Sequence, residues 1–465
     1  MLAMLLSALD QTIIATAMPT IGRELGDLDH LPWVVTSYLL ASTAVTPLYG
    51  KFSDMHGRRV TLLIGITIFI LGSVACALAP TMLALIVARA IQGLGGGGLI
   101  ALAQTIVADM VTPRERGRYQ VYFGAVFATA SLAGPVLGGF IAQNLHWSMI
   151  FWINLPLGLL AFLLTNARLK KLPQVSRRHR LDILGAGLLI AATTTTLLVL
   201  SWGGLHYPWR SAPIGVLAAV SSAFWAAFAF RMRTASEPLI PLQVLANPVV
   251  ACATLASATG MGTYIGLTIF VPIYFEVALG LSARNSGLAL IPLMIGTVLG
   301  ATTSGRLMAR VRHYKRAPVA GVTVAVLAVG TIAAFGTALP FTLLLALLFA
   351  VSVGLGTVMP VATVATQNAA PAGHLGTATA TLNFSRQLMG AIVVAGYGAI
   401  VLSGRGPGRG LTPETLAGVA SPELAATFSY VFGAATLGLC ASLAFFALMD
   451  ERPLRDREEP APHSE

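Results

Sequence analysis

Two ionisable residues stand deep in apolar stretches. Asp10 lies in Leu9-Asp10-Gln11-Thr12-Ile13-Ile14-Ala15-Thr16-Ala17-Met18-Pro19. Arg89 lies in Arg89-Ala90-Ile91-Gln92-Gly93-Leu94-Gly95-Gly96-Gly97-Gly98. A charge within a hydrocarbon layer is costly unless it is paired, neutralised or hydrated. At about 1.5 Å per helical residue, Asp10 lies roughly 14 Å in from one face and Arg89 roughly 12 Å in from the other. Both reach mid-membrane depth. A carboxylate there either bonds a neighbouring helix or binds and releases a proton. An unpaired guanidinium there is improbable, so Arg89 is expected to face a wet cavity or an acid. Glu276, near the outer end of its span, is either a solvated rim acid or a second protonatable or cation-attracting group.

A second constellation is charged and short. Gly50-Lys51-Phe52-Ser53-Asp54-Met55-His56-Gly57-Arg58-Arg59 separates the apolar runs 31–49 and 60–79. A link this short makes its two helices antiparallel neighbours. Asp54 sits among cations with a glycine on each side. It is expected at the N-terminal end of span 13, where a helix dipole favours an anion. Asp109, at the inner end of span 4, is expected to pair with Arg58.

The elements that must carry these residues are membrane helices. Of 465 residues, 56% are hydrophobic and only 10% charged; mean hydropathy is +0.79. Soluble proteins carry about 25% charged residues. Fourteen apolar spans are read: about 1–20, 31–49, 60–79, 82–108, 119–143, 150–167, 183–202, 212–230, 249–278, 286–304, 317–338, 340–366, 378–402 and 425–449. With both termini cytoplasmic, 22 Lys and Arg fall in cytoplasmic connections and tail against 5 outside. The outer five are Arg23, Arg210, Arg284, Arg405 and Arg409. That asymmetry follows the positive-inside rule. The net charge of +11 is therefore a topology signal and not a nucleic-acid surface. The first run lacks a basic start and a small-residue cleavage site, so it reads as a membrane helix, not a leader.

The organisation expected is a six-helix unit over residues 1–168, and a basic linker with inserted spans 7 and 8 over 169–245. A second six-helix unit over 246–450 and a tail over 451–465 follow. Gly305-Arg306-Leu307-Met308-Ala309-Arg310-Val311-Arg312 stands in the second unit where Gly50 to Arg59 stands in the first, without the aspartate. The inserted pair reads as a spacer.

Other chemistries find no support. Cys76, Cys252 and Cys440 are far apart, with no zinc or disulfide spacing. Gly93, Gly95 and Gly98 fit a dinucleotide-binding spacing, but no strand precedes them. The glycines suit close helix contact in lipid. No nucleophile–base set, cofactor motif or metal cluster is read, so no enzyme, metal or cofactor is expected.

The loop pattern Gly-x-x-x-Asp-x-x-Gly-Arg-Arg resembles the signature of the major facilitator superfamily. Leu-Asp-x-Thr-Ile-x-x-x-Ala-x-Pro around Asp10 resembles the first-helix signature of its fourteen-span drug:proton antiporters. Arg89-x-x-Gln92-Gly93 matches the fourth-helix signature. Gly134-Pro135-Val136-Leu137-Gly138-Gly139 resembles the fifth-helix antiporter signature, which importers of the superfamily generally lack. Phe151-Trp152-Ile153-Asn154-Leu155-Pro156-Leu157-Gly158 and Asn383-Phe384-Ser385-Arg386-Gln387-Leu388 also fit. His146-Trp147-Ser148-Met149 departs from the pattern, and Glu276 stands where the family commonly has glutamine. Arg386, two turns inside the cytoplasmic end, reads as a snorkelling cation.

The resemblance implies an all-α membrane protein with 14 transmembrane helices, two six-helix bundles in parallel repeat and an inserted pair. It implies proton-coupled export of drugs or other lipophilic or cationic small molecules by alternating access. Lipid or secondary-metabolite export stays open, and nutrient:proton symport is disfavoured by Gly134 to Gly139. Asp10, Arg89 and Glu276 would couple protons; since helices 1 and 4 line the cavity in this superfamily, Asp10 and Arg89 would face the same wet space, close enough to interact directly or through one water. Gly50, Asp54, Gly57, Arg58, Arg59 and Asp109 would gate the cytoplasmic face. Gln11, Ile14, Gln92 and Tyr264 would line the substrate cavity. Expected partners are protons, substrate and membrane lipids, with no nucleic acid, in a monomer of a bacterial inner membrane.

Overall fold

The computed structural model describes residues 1–27, 30–171, 181–204, 206–311, 313–371, 373–403 and 422–454. Arg177, Arg178, Arg180, Arg312, Arg405, Arg409, Arg455, Arg457 and the rest of the tail lie outside the described residues, and so does the side chain of Arg284.

The chain folds into α-helices. They are α1 (Leu2–Leu25), α2 (Trp33–His56), α3 (Arg58–Ala77), α4 (Met82–Gly96), α5 (Leu99–Met110), α6 (Pro113–Asn144), α7 (Met149–Trp152) and α8 (Asn154–Arg168). Next come α9 (Ile183–Trp202), α10 (Ala212–Thr234), α11 (Leu242–Leu245), α12 (Pro248–Leu279), α13 (Ala283–Leu288) and α14 (Ile291–Arg310). The last are α15 (Arg316–Phe335), α16 (Phe341–Ala369), α17 (Leu375–Ser403) and α18 (Pro422–Leu448).

Among the described residues, 13 helical segments are long and apolar enough to cross a membrane, one fewer than expected. The expected span that is missing from that set is α2, which is 24 residues long but more polar. Its polar groups bond to neighbours: the Thr46 hydroxyl donates to Gly97 O (2.9 Å) and the Tyr49 hydroxyl to Leu94 O (2.8 Å). Such bonds satisfy groups that lipid cannot.

Local chemistry sets the ends of these helices. Gly57, at φ +88°, ends α2 and opens α3 in a conformation that side chains disfavour. Thr112 caps α6 through a capping box with Glu115, and Pro113 occupies the first turn. Asp182 caps α9 and Asn247 caps α12. Lys315 ties the end of α18 to the start of α15, its ammonium donating to Ala447 O (2.7 Å) and Met449 O (2.6 Å). A cation there suits the negative end of a helix dipole.

Helices α1 to α8 pack among themselves around cores that include Ile13, Leu85 and Phe151, and Leu62, Phe69 and Leu102. Helices α12 to α18 enclose one large core running from Val244 to Met449. The two groups meet along α2 with α17 and along α6 with α14. Both seams close on glycine at the same end. A Cβ on Gly50 would strike Gly376 and Ala380, and one on Gly305 would strike Gly117 O. Helices α9 and α10 pair, and α9 seats on both α2 and α17; Leu189 of α9 and Phe228 of α10 share one apolar cluster with Leu48 and Phe384.

The run Gly134 to Gly139 shows why small residues are needed in α6. Gly134 and Gly138 lie one turn apart, against Thr12, Ile13 and Thr16 of α1. Thr12 donates its hydroxyl to Ala130 O at 2.8 Å, one turn earlier on the same face. Thus α6 holds the helix that carries Asp10. Gly139 points into open space. Gly138→Ala should therefore cost about 1–3 kcal/mol by overpacking, while Gly139→Ala should leave stability within about 0.5 kcal/mol. Thermal unfolding of the detergent-solubilised variants measures the difference. Equal loss in both would contradict the packing.

Candidate functional site

Helices α1, α3, α4 and α8 bring one buried polar cluster together. Asp10 and Arg89 are each 1% exposed and form an ion pair, Arg89 Nη1 to Asp10 Oδ2, at 2.6 Å. The other carboxylate oxygen, Oδ1, accepts from Gln92 Nε2 (2.8 Å) and Asn154 Nδ2 (2.9 Å). Those amides also donate to the Ser73 hydroxyl, at 3.2 and 2.9 Å, and that hydroxyl donates to Phe151 O (3.0 Å). The guanidinium bonds Gln92 Oε1 (2.7 Å) and Val34 O (3.1 Å), and lies 4.3 Å from the centre of the Tyr38 ring. Charge-assisted bonds and cation–π contact together replace the water that both charges lost.

The expectation of direct pairing meets this geometry. The expectation of a wet setting does not, because Asp10 and Arg89 are buried among helices and do not line the cavity described next. Tyr38 explains the difference. It borders the cavity on one side and the guanidinium on the other, and its hydroxyl lies 3.2 Å from Ser7 Oγ.

The cavity has a volume of about 1270 Å³ and lies between the two groups of helices. It is walled mainly by apolar side chains such as Phe127, Met261, Ile295 and Val394. Gln11 and Tyr264 line it; Ile14 and Gln92 do not. Ile14 instead joins the core with Met82 and Leu85, and Gln92 serves Asp10. The C-terminal end of α9 also contributes, through Leu197, Leu200, Ser201 and Trp202, whereas no residue of α10 lines the cavity. Helix α9 is thus part of the cavity wall, where the sequence suggested a spacer.

A second polar site closes one end of the molecule. Asp54 Oδ1 accepts from Gly376 N (2.9 Å), and Oδ2 accepts from Thr377 N and Thr377 Oγ1, both at 2.7 Å. These N–H groups begin α17, so the carboxylate caps that helix across the seam. Arg58 Nη1 donates to Asp54 (2.6 Å), and Arg58 Nε to Asp109 (2.8 Å). Arg59 instead bonds Asn166. Deeper in the seam, Asn383 Nδ2 donates to Gln104 Oε1 at 2.8 Å. The cavity lies toward the opposite ends of α2 and α17, between Pro32–Thr43 and Asn383–Ala399. The molecule is latched at one end and hollow toward the other.

Glu276 is half-buried and accepts from Ser286 Oγ at 2.7 Å, away from the cavity lining. Asn154, Ser73, Tyr38 and Gln104 carry no assigned role in the sequence reading. Each is a polar residue in an apolar span, which was the available signal.

The described residues thus form a polytopic helical membrane protein with a large internal cavity and a charged latch at one end. The Major Facilitator Superfamily model matches residues 1–394, and the chain belongs to that family. It is 40% identical over 305 residues to "Multidrug resistance protein 3" of Bacillus subtilis, covering 66% of this chain and 59% of that protein. It is 33% identical over 402 residues to "Multidrug transporter protein MdtP" of the same organism, covering 86% of this chain and 74% of that one. The chain spans 58–59% of the length of the first relatives it matches. Among solved structures, a proton:xylose symporter, XylE, superposes with a TM-score of 0.64 at 16% identity, covering 97% of this chain and 95% of that one. A bacterial homologue of the iron transporter ferroportin gives 0.67 at 12% identity, covering 96% of each.

Two outcomes follow from this geometry. Arg89→Ala leaves a buried carboxylate unpaired and should cost about 3–5 kcal/mol of stability. Asp10→Asn combined with Arg89→Gln should cost less than the sum of the singles, and thermal unfolding in detergent reads the cycle. Asp54→Asn should loosen the latch. Maleimide labelling of Thr379→Cys, in an otherwise cysteine-free chain, should then rise from the latch side. Unchanged labelling would show that the latch does not hold the seam.

Proposed function

We propose that this protein is a proton-coupled antiporter that exports lipophilic small molecules by alternating access. The observation that carries the reading is the Asp10–Arg89 pair, a carboxylate buried with its counter-ion in a helix group that borders the cavity. The multidrug relatives support export of small molecules, and the Gly134 to Gly139 run supports exchange over symport.

In this reading the chain crosses the membrane fourteen times, with α2 as the fourteenth span. Two six-helix repeats enclose the cavity, and α9 with α10 are the inserted pair. The basic connections place both termini in the cytoplasm of a bacterial inner membrane, and the protein works as a monomer among lipids. Asp54, Arg58 and Asp109 then form the cytoplasmic gate, closed here, with Gly50 and Gly57 fitting the hairpin to the seam.

The cycle requires that proton and substrate are not held together. A proton on Asp10 cancels its attraction to Arg89 and leaves the guanidinium to other acceptors. That alters the packing of α1 against α4 and α8, and so the balance between the two ends of the seam. The inward proton gradient biases the cycle through that difference in affinity between states. Glu276, held by Ser286 near the outer end, acts as a rim acid that attracts protons or cations. Lipid or secondary-metabolite export by the same cycle is the second reading, supported by the apolar cavity wall.

Everted vesicles under an imposed pH difference test the proposal. The wild type should accumulate a lipophilic dye and release it when the gradient collapses. Asp10→Asn should abolish that accumulation while dye binding to the purified protein stays measurable. Dye accumulation insensitive to the gradient would overturn proton coupling. Equal loss of folding and binding would reduce Asp10 to a packing role.

A further inference from the structure

We propose that Arg386 is a substrate-binding residue that selects lipophilic molecules bearing an anionic oxygen group, such as a carboxylate or sulfonate. The inference deepens the export reading by naming the substrate class. Arg386 projects from α17 and is 5% exposed. Its Nε donates to Ser257 Oγ (2.5 Å), and its Nη2 to Thr363 Oγ1 (3.0 Å) and Met359 O (3.2 Å). Every one of these acceptors is neutral. Nη1 has no hydrogen-bond partner, so two of the five guanidinium N–H groups are unspent.

This differs from the other deep arginine. Arg89 has Asp10, whereas among the described residues Arg386 has no carboxylate as a hydrogen-bond or ion-pair partner. Snorkelling, the role expected from sequence, does not describe a guanidinium enclosed between α12 and α16. A buried cation without a counter-ion is unfavourable, and an arriving anion removes that penalty.

The cavity supplies the second, independent observation. Among the described residues that line it, Arg386 is the only Lys or Arg, and there is no Asp or Glu. A cationic substrate would meet the one fixed cation and no fixed anion. Nη1 is itself covered, so an anionic head bound to it would displace lining side chains there, its apolar body lying against Ile265, Val394 and Leu355. Low dielectric strengthens such an ion contact relative to water.

A matched set of probes tests this on the full-length protein in lipid nanodiscs, by equilibrium dialysis against empty nanodiscs. Anilinonaphthalene sulfonate carries the anion, phenylnaphthylamine is its uncharged parent, and tetraphenylphosphonium is a lipophilic cation. The wild type should bind the sulfonate about tenfold more tightly than the uncharged parent, a factor within reach of one charged hydrogen bond. Arg386→Gln should erase that preference and leave the parent's affinity within about twofold, while Arg386→Lys should keep part of it. Unchanged sulfonate binding in a folded Arg386→Gln protein would overturn the proposal. Should that variant not yield monodisperse protein, the wild-type ranking decides: tetraphenylphosphonium bound more tightly than the sulfonate overturns it. The measurement needs no proton gradient. Anion preference without gradient-driven efflux would therefore overturn the coupling and spare this site.

Discussion

The N-terminal helices are organised by one electrostatic constraint. Two opposite charges, Asp10 and Arg89, sit where neither can reach water. Such a pair survives only when each remaining lone pair and N–H is met by another fixed group. Gln92, Asn154 and the Val34 carbonyl bond the pair from α4, α8 and α2, and Ser73 of α3 accepts from the two amides. The requirement reaches outward from there. The helices must approach closely enough for those side chains to converge. Gly72 against Gln92, and Gly134 and Gly138 against α1, are the contacts that allow it. Backbone approach, in this half, serves the electrostatics.

The latch obeys the opposite logic. Its carboxylate, Asp54, uses the backbone N–H groups of a helix end on the other side of the seam. Nothing apolar has to be buried for that contact to form, and water can replace it when it breaks. Arg58 keeps Asp54 oriented while remaining tied to Asp109 on its own side. A contact made of hydrogen bonds to a helix end suits a seam that opens. A pair sealed behind Tyr38 suits a group whose access must be controlled.

What could be read from sequence was set by cost. A carboxylate and a guanidinium in apolar runs demand a partner, so their pairing and depth were legible. Asp54 at a helix start and Arg58 with Asp109 were legible for the same reason, since charges near one membrane face have few possible partners. The setting of the Asp10–Arg89 pair was not legible. Whether such a pair faces water depends on the placement of Tyr38 and Asn154, and nothing local to Asp10 fixes that. Ile14, three residues after Gln11, does not line the cavity. The lining stripe advances by four, from Ser7 to Gln11, and Ile14 turns inward. Length and charge give fourteen spans, of which 13 meet a hydropathy criterion among the described residues, and α2 is too polar to meet it on its own. Its polar groups are satisfied by helices distant in sequence.

The position of α9 bears on motion. It rests on α2 and α17 at once, with Leu48 on one side of the seam and Phe384 and Leu388 on the other. In an alternating-access cycle those two surfaces separate and reclose beneath it. A helix seated on both must slide over at least one of them at every turnover. The contact is apolar and made of side chains that exchange neighbours without breaking strong bonds, so it acts as a bearing. If the protein switches as proposed, friction at that contact would set a pace independent of how tightly substrate or proton is held.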